Sequence, residues 1–440
     1  MTKTVYGAAL AALLLTGTAQ AQNQAQDAFP ATLKAHAELS AHSFVPAPEG
    51  AAPYYNVSGR FTKGARNETL YGNYQDASGL ALPFPGQPLQ GFSGIRSLGD
   101  DRFLVLTDNG FGAKANSSDV VLMFNIVKVD WEAGRVAIEK TVQLSDPDHK
   151  VPFPIMNEAT EARTLTGADF DIESIQPVDE NFWIGDEFGP WIIEVNAAGE
   201  VLRVLATEPG GELIQSPDNF FVSTPNPGGA LPETVLSYRS GGYEGMAISE
   251  DSKTLYPLLE KPVFDPETGG KKHVSGKPVL SMFELFPETG AWGDMVRYYP
   301  LEDENHAIGD FNLIEGTRGL IIERDGGQGD PREGWAETPA MFKRIYLIDL
   351  TRMDENNVLE KIAYIDLMNI QDPEGIAPRG TIDGTFSFPF VTIEDVDRVD
   401  ETTIVVANDN NYPFSVGRQQ GRADDNEMIL LDVADFLKAE

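Results

Sequence analysis

Apolar and polar residues alternate in short runs along most of this chain, and the runs come in pairs. Around Gly167 to Gly189 a run from Phe170 to Ile175 carries Asp171 and Glu173 on one face, because strand side chains alternate. A turn leads to Phe182-Trp183-Ile184, which ends in Asp186-Glu187-Phe188-Gly189. The same pairing recurs at Phe92-Ser93-Gly94-Ile95 with a strand ending in Thr107-Asp108-Asn109-Gly110, and at Tyr243-Glu244-Gly245-Met246 with one ending in Leu259-Glu260-Lys261-Pro262. Two further copies run from Asp310 to Glu323-Arg324-Asp325 and from Ile393-Glu394 to Asn408-Asp409. Short alternating runs bounded by turn residues predict hairpins of half-buried strands.

Behind each pair stands another apolar run: Val120–Phe124, Trp191–Val195, Leu280–Leu285, Arg344–Leu350 and Met428–Val433. Turns such as Asn196 to Glu200 and Pro287 to Gly290 follow some of them. Five copies, starting near 92, 172, 243, 311 and 393, predict an all-β propeller. Six blades are expected, with strand-like pieces between Tyr54 and Leu82 forming part of the sixth or closing the ring. Inserts at 137–167, 207–240, 262–278 and 326–342 read as surface loops. Asp146, Asp148 and Glu158 have the spacing of a calcium loop, but Val151 stands where such a loop needs glycine, which excludes it.

The N-terminus changes the picture. Lys3, the apolar run Val5 to Leu15 and Ala19-Gln20-Ala21 read as a signal peptide over residues 1–21. Residues 22–52, rich in Ala, Gln and Pro, read as a flexible leader before a single domain over 53–440. The apolar run is shorter than the ~20 residues that span a bilayer, so an exported chain is expected, periplasmic or secreted, without a transmembrane anchor. The chain has no cysteine, so core packing, alone or with a metal, must hold it. A net charge of −35 argues against nucleic acid as a partner. It leaves a small-molecule substrate as the expected one; oligomeric state is open.

The acids at the strand ends are the candidate chemistry. In a propeller they converge on one mouth of the central channel, where hard oxygen donors suit Ca2+. The metal candidates are Asp108, Glu173, Asp186, Glu187, Glu244, Glu260, Glu323 and Asp409. Asp171, Asn109, Asp325, Glu394 and Asn408 form a wider set. Lys261 and Arg324, each directly after a strand-end acid, are candidates to meet an anionic substrate, and with Glu187 they make up the candidate catalytic residues. Gly91-Phe92-Ser93-Gly94-Ile95 misses the G-x-S-x-G serine-hydrolase elbow at its last residue. The five histidines show no short zinc-ligand spacing.

GFSGI (91–95), LTDNGFGAKANS (106–117), LTGADFDIESIQP (165–177), FWIGDEFGPW (182–191), YEGMAIS (243–249), AIGDFNLIEGT (307–317), IERDGG (322–327), FPFVTIEDVD (388–397), NDNNYPFS (408–415) and ADDNEMILLDV (423–433) resemble the bacterial phytase-like family, described as "esterase-like activity of phytase". The resemblance runs from about Phe92 to Phe436. It implies a propeller, an exported location and a phosphoesterase-type activity, by distant similarity to β-propeller phytases. The expected function is thus a Ca2+-dependent hydrolase of phosphoesters, with a phytate-like or smaller organic phosphate as substrate. The alternatives are a non-catalytic exported propeller that binds a ligand or partner and holds only structural calcium, and a calcium-dependent lactonase or esterase.

Overall fold

The computed structural model describes residues 27–62, 64–66, 82–108, 110–223, 231–265 and 267–440. Each hairpin pair predicted above, with the run behind it, folds into one four-stranded antiparallel blade. Blade one comprises Phe92–Gly99, Arg102–Thr107, Met123–Asp130 and Arg135–Gln143. Blade two comprises Ile172–Val178, Asn181–Asp186, Trp191–Val195 and Val201–Ala206. Blade three is built on Tyr243–Ile248, Leu255–Leu259, Lys277–Met282 and Arg297–Pro300. Blade four is built on Ala307–Glu315, Arg318–Arg324, Lys343–Met353 and Leu359–Asp366.

Blade five has only three strands from its own stretch of chain, Asp395–Arg398, Thr403–Ala407 and Asn426–Asp432. Its fourth is Thr32–Leu39, which pairs antiparallel with Asn426–Asp432 and meets blade one at Glu38 opposite Arg135. Just before it, Asp27–Phe29 adds a parallel edge to blade four. The stretch expected as a flexible leader is therefore, from Asp27 onward, the clasp of the ring. Ala31, Leu33, Ala35 and Ala37 are buried in it, and burial of that face outweighs the loose look of the Ala-rich composition.

The propeller expected from the repeats is present, with five blades among the described residues rather than six. The ring closes without another. Ser174 and Gln176 of blade two bond carbonyls of blade three, Val396 of blade five donates to Asp310 of blade four, and Gly94 of blade one donates to Asp395 of blade five. Five apolar clusters fill the five gaps between neighbouring blades. From the piece between Tyr54 and Leu82, Pro53–Asn56 is a single 3-10 turn and Ser58 makes a lone bridge to Phe84. Residues 67–81 lie outside the described residues, as do 1–26, where the signal peptide was expected.

Blade geometry sorts the loops. The inner strand of each blade leaves the channel mouth and the second strand returns to it. The turns at the far end, among them Asn196 to Glu200, are short except in blade three, where 283–296 carries the small hairpin Leu285–Phe286 and Ala291–Trp292. The described parts of the long connections 40–91, 108–122, 144–171, 207–242, 260–276, 325–342, 367–394 and 408–425 therefore lie at the mouth end. The predicted inserts fall among them, except that 137–143 continues a blade-one strand and 277–278 opens a blade-three strand. Asp146 in the insert accepts bonds from the Lys150 and Val151 amides and pairs with Arg163, as a loop organiser. Beneath the mouth the axis is filled by Asn312, which bonds Arg96, Gln176 and the Val396 carbonyl.

Candidate functional site

At the mouth all five blades contribute to one cavity of about 150 Å³. At roughly 30 Å³ per liquid water, it has room for a few small groups. Eight carboxyl side chains line it: Asp108, Asp171, Glu173, Glu187, Glu244, Glu260, Glu394 and Asp409. Among the described residues two cations do, Lys261 and Arg324.

The backbone explains which acids arrive there. A β-bulge, an extra residue on one strand that re-aims a side chain, falls at the mouth end of the inner strands of blades one to four. Glu173 and Glu244 are the bulged residues of blades two and three, so each turns toward the axis. On the returning strands, Thr107, Asp186, Leu259 and Glu323 are register equivalents, and the residue after each, Asp108, Glu187, Glu260 or Arg324, faces the cavity. Asp409 of blade five follows suit. Two glycines make room: a Cβ on Gly91 would lie 1.6 Å from Asp409 Oδ1, and one on Gly242 2.4 Å from Glu187 Cα.

This alternation corrects two metal candidates. Asp186 points under the mouth, where its oxygens accept the Asp171 and Gly189 amides at 2.8 and 2.7 Å. It holds Asp171 and the turn in place. Glu323 is enclosed between blades three and four, at 2.6 Å from Lys361 Nζ, 2.9 Å from Tyr299 Oη and 2.8 Å from both His306 Nδ1 and the Glu302 amide. Its oxygens are committed there, and it does not line the cavity. In the wider set, Asp325 pairs with Lys343 and Asn408 caps the Glu427 amide; Asn109 lies outside the described residues. The structure brings Asp108, Glu173, Glu187, Glu244, Glu260, Asp409, Lys261 and Arg324 together. It adds Asp171, just ahead of the blade-two inner strand, and Glu394, the blade-five counterpart of Glu173 and Glu244, both of which stood only in the wider set.

The cavity has two halves. On one, Arg324 Nη2 lies 2.9 Å from Glu394, 3.4 Å from Glu260 and 3.6 Å from Glu244, and Lys261 Nζ lies 2.7 Å from Glu260 Oε2. Ser93, the blade-one equivalent of these inner-strand acids, donates to Glu394. On the other half, Asp171, Glu173 and Glu187 bring one oxygen each within 4.8 Å of the others, all three residues being buried. The Glu187 amide donates to the Asp171 carbonyl, which fixes the pair, and Glu187 Oε1 has no hydrogen-bond partner.

The charge states follow. Burial, and then the neighbouring carboxylates, push the carboxyl groups of Glu173 and Glu187 well above the ordinary range, and Asp171 rises mainly through burial. Burial and Glu394 raise Asp108 to about 7. Burial works against the charge of Lys261, but Glu260 and Glu187 hold its ammonium above its usual value. Buried carboxylates with an unpartnered oxygen are costly unless a cation joins them, and hard monodentate oxygens are the donors Ca2+ takes. The residues present fit such an ion.

The phytase-like family, described as "Esterase-like activity of phytase", matches residues 87–412, and the chain belongs to it. No curated protein matches the chain. Among solved structures, a luciferin-regenerating enzyme aligns at 11% identity over 78% of this chain and 77% of its own, with a TM-score of 0.33. A candidate 6-phosphogluconolactonase of Bacteroides uniformis aligns at 11% identity over 79% and 86%, TM-score 0.28. A Bacteroides thetaiotaomicron protein of unknown function aligns at 11% over 78% and 70%, TM-score 0.31. No helix among the described residues is long and apolar enough to cross a membrane.

Proposed function

We propose that the chain is an exported, calcium-dependent hydrolase of small organic phosphoesters, working at the acidic mouth. The observation that carries this reading is the buried trio Asp171, Glu173 and Glu187, with an orphaned oxygen on Glu187 and no cation among them. These three would hold the ion, with Asp108 and Asp409 at the cavity wall beside them. A bound Ca2+ supplies charge to polarise a phosphoryl oxygen and acidifies a water.

The chain's own residues do the rest. Lys261 lines the cavity with a third of its side chain exposed, and offers an ammonium to an anionic substrate. Asp108, whose carboxyl titrates near neutrality, can hold or release a proton at the mouth. The Asn312 plug closes the axis below, so substrate and water share one entrance.

A second reading, a calcium-dependent carboxyl ester or lactone hydrolase, is favoured by the scarcity of cations: Arg324 is surrounded by glutamates and Lys261 is paired with Glu260. A metal analysis of purified protein beside a panel of phosphomonoesters, phosphodiesters, carboxyl esters and lactones decides between them. Calcium-dependent turnover of phosphomonoesters supports the first reading, and turnover confined to carboxyl esters or lactones replaces it with the second. Bound calcium without turnover of any class leaves a binding propeller. Mass spectrometry of exported protein should find a mature start near Gln22; an intact Met1 overturns the export reading.

A further inference from the structure

We propose that the Arg324 guanidinium is a built-in cation standing where a second metal ion would sit, so that the mouth takes one calcium rather than two. The inference rests on the calcium reading above for the acid-only half of the cavity, and extends it to the other half.

Register is the first support. Blade four departs furthest from the pattern of the ring: blade one replaces only its inner-strand acid, by Ser93, and keeps Asp108. The position that carries Asp108, Glu187, Glu260 and Asp409 in its neighbours carries Arg324, and the bulged residue of its inner strand is Gly309, where blades two and three place Glu173 and Glu244 and blade five has Glu394. Blade four thus withdraws two acids and inserts a cation.

Geometry is the second. A guanidinium usually meets a carboxylate as a two-nitrogen fork, as Arg418 meets Glu427 here through Nε at 2.8 Å and Nη2 at 2.7 Å. Arg324 does otherwise. Its single Nη2 lies among one oxygen each of Glu394, Glu260 and Glu244, at 2.9, 3.4 and 3.6 Å, and its Nε has no hydrogen-bond partner. Three carboxylates from two blades sharing one positive point is the arrangement of monodentate ligands around an ion. The remaining trio, Asp171, Glu173 and Glu187, has no such point, and Glu187 Oε1 is unpartnered. The mouth therefore has two places for positive charge, one filled by the chain itself. A guanidinium cannot dissociate, so that half stays assembled when calcium is withdrawn.

The test counts Ca2+ bound per chain, by non-denaturing mass spectrometry and calorimetric titration with Ca2+ alone. Arg324→Gln should bind one ion more than the wild type, whereas Arg324→Lys, which keeps the charge, should match the wild type. Glu244→Gln and Glu394→Gln should keep the wild-type count, and Glu187→Gln should lose one ion. An unchanged count in Arg324→Gln overturns the inference. Should that variant not fold, the glutamate variants decide alone: loss of the wild-type ion in Glu244→Gln or Glu394→Gln places the ion among the Arg324 glutamates and overturns it equally. A wild type that binds no calcium removes the calcium reading of the mouth, and the gain or absence of one ion in Arg324→Gln still judges the role of Arg324.

Discussion

Two ligand-like clusters in this propeller look alike by distance and differ in how the charge of their most buried acids is balanced. At the mouth, Asp171, Glu173 and Glu187 gather their oxygens within 4.8 Å; at the rim of blade five, His36, Glu38 and Glu427 do the same. The blade-five group is supplied with cations by its own chain. Arg418 forks onto Glu427, His36 Nε2 lies 3.0 Å away, and Arg379 joins Glu38 to Asp425. Burial opposes the charge on Glu427, but Arg418 and His36 outweigh it and bring the carboxyl down to about 2. At Glu173 burial meets no such partner, and at Glu187 Lys261 offsets it only in part, so the same physics drives those carboxyls up. Proximity of acids thus says little by itself; an acid cluster becomes a candidate ion site where the fold has left its charge unbalanced.

The comparison is broken most forcefully at Arg418. Arg418→Met strands the fully buried Glu427, and removing one partner of a buried pair costs about 3–5 kcal/mol. Urea denaturation should show a loss of that order. A loss below about 1 kcal/mol would mean that the blade-five acids are not held by their cations.

Calcium should act on the mouth alone. A ligand bound only by the folded state adds about 2.7 kcal/mol at a hundredfold excess over Kd, so melting in EDTA and then with calcium restored should differ by several degrees. Glu173→Gln and Glu187→Gln should lose that shift, while Arg418→Met, where it folds, keeps it. Equal shifts in all variants would make the effect diffuse charge.

The two groups should also answer pH with opposite signs. The raised mouth carboxyls, Asp108 at about 7 among them, bind protons in the folded state that the unfolded chain has released. Their contribution is complete below the unfolded value near 4.5 and is lost as pH rises through the folded one. Metal-free protein should accordingly be more stable at pH 5 than at pH 8, a difference that calcium reduces. Glu427 works the other way: its contribution is complete above 4.5 and fades as pH falls toward 2. Thermal melts across pH 2 to 8 with and without calcium measure both; metal-free stability that rises from pH 5 to 8 would contradict the mouth assignment.

The smallest effect is expected at the far-end turns. Glu200→Gln and Glu288→Gln remove charge from exposed positions, where substitutions stay within about 0.5 kcal/mol. Calcium titration should leave them at the wild-type affinity. A loss matching that of Glu187→Gln would dissolve the distinction between site and surface.

Sequence alone determined the repeating unit of this protein and the chemical character of its mouth. Period-two alternation and strand-end acids are local signals, readable because a strand's side chains switch faces with every residue. That locality is also where the reading stopped. Asp186 and Glu187 are adjacent, as are Glu323 and Arg324, and alternation puts one of each pair under the mouth and the other into it. Bulges and register, set by hydrogen bonding to the neighbouring strand, decided which. The partners that neutralise Glu323 and Glu427, Lys361 and His36 among them, come from distant stretches of chain. The blade count depended on closure: inner strands of blades one and five meet across some 300 residues, and Thr32–Leu39 supplies the last strand of the ring. No local pattern carries such information, because it arises only when the blades pack and the charges left unpaired face the same space.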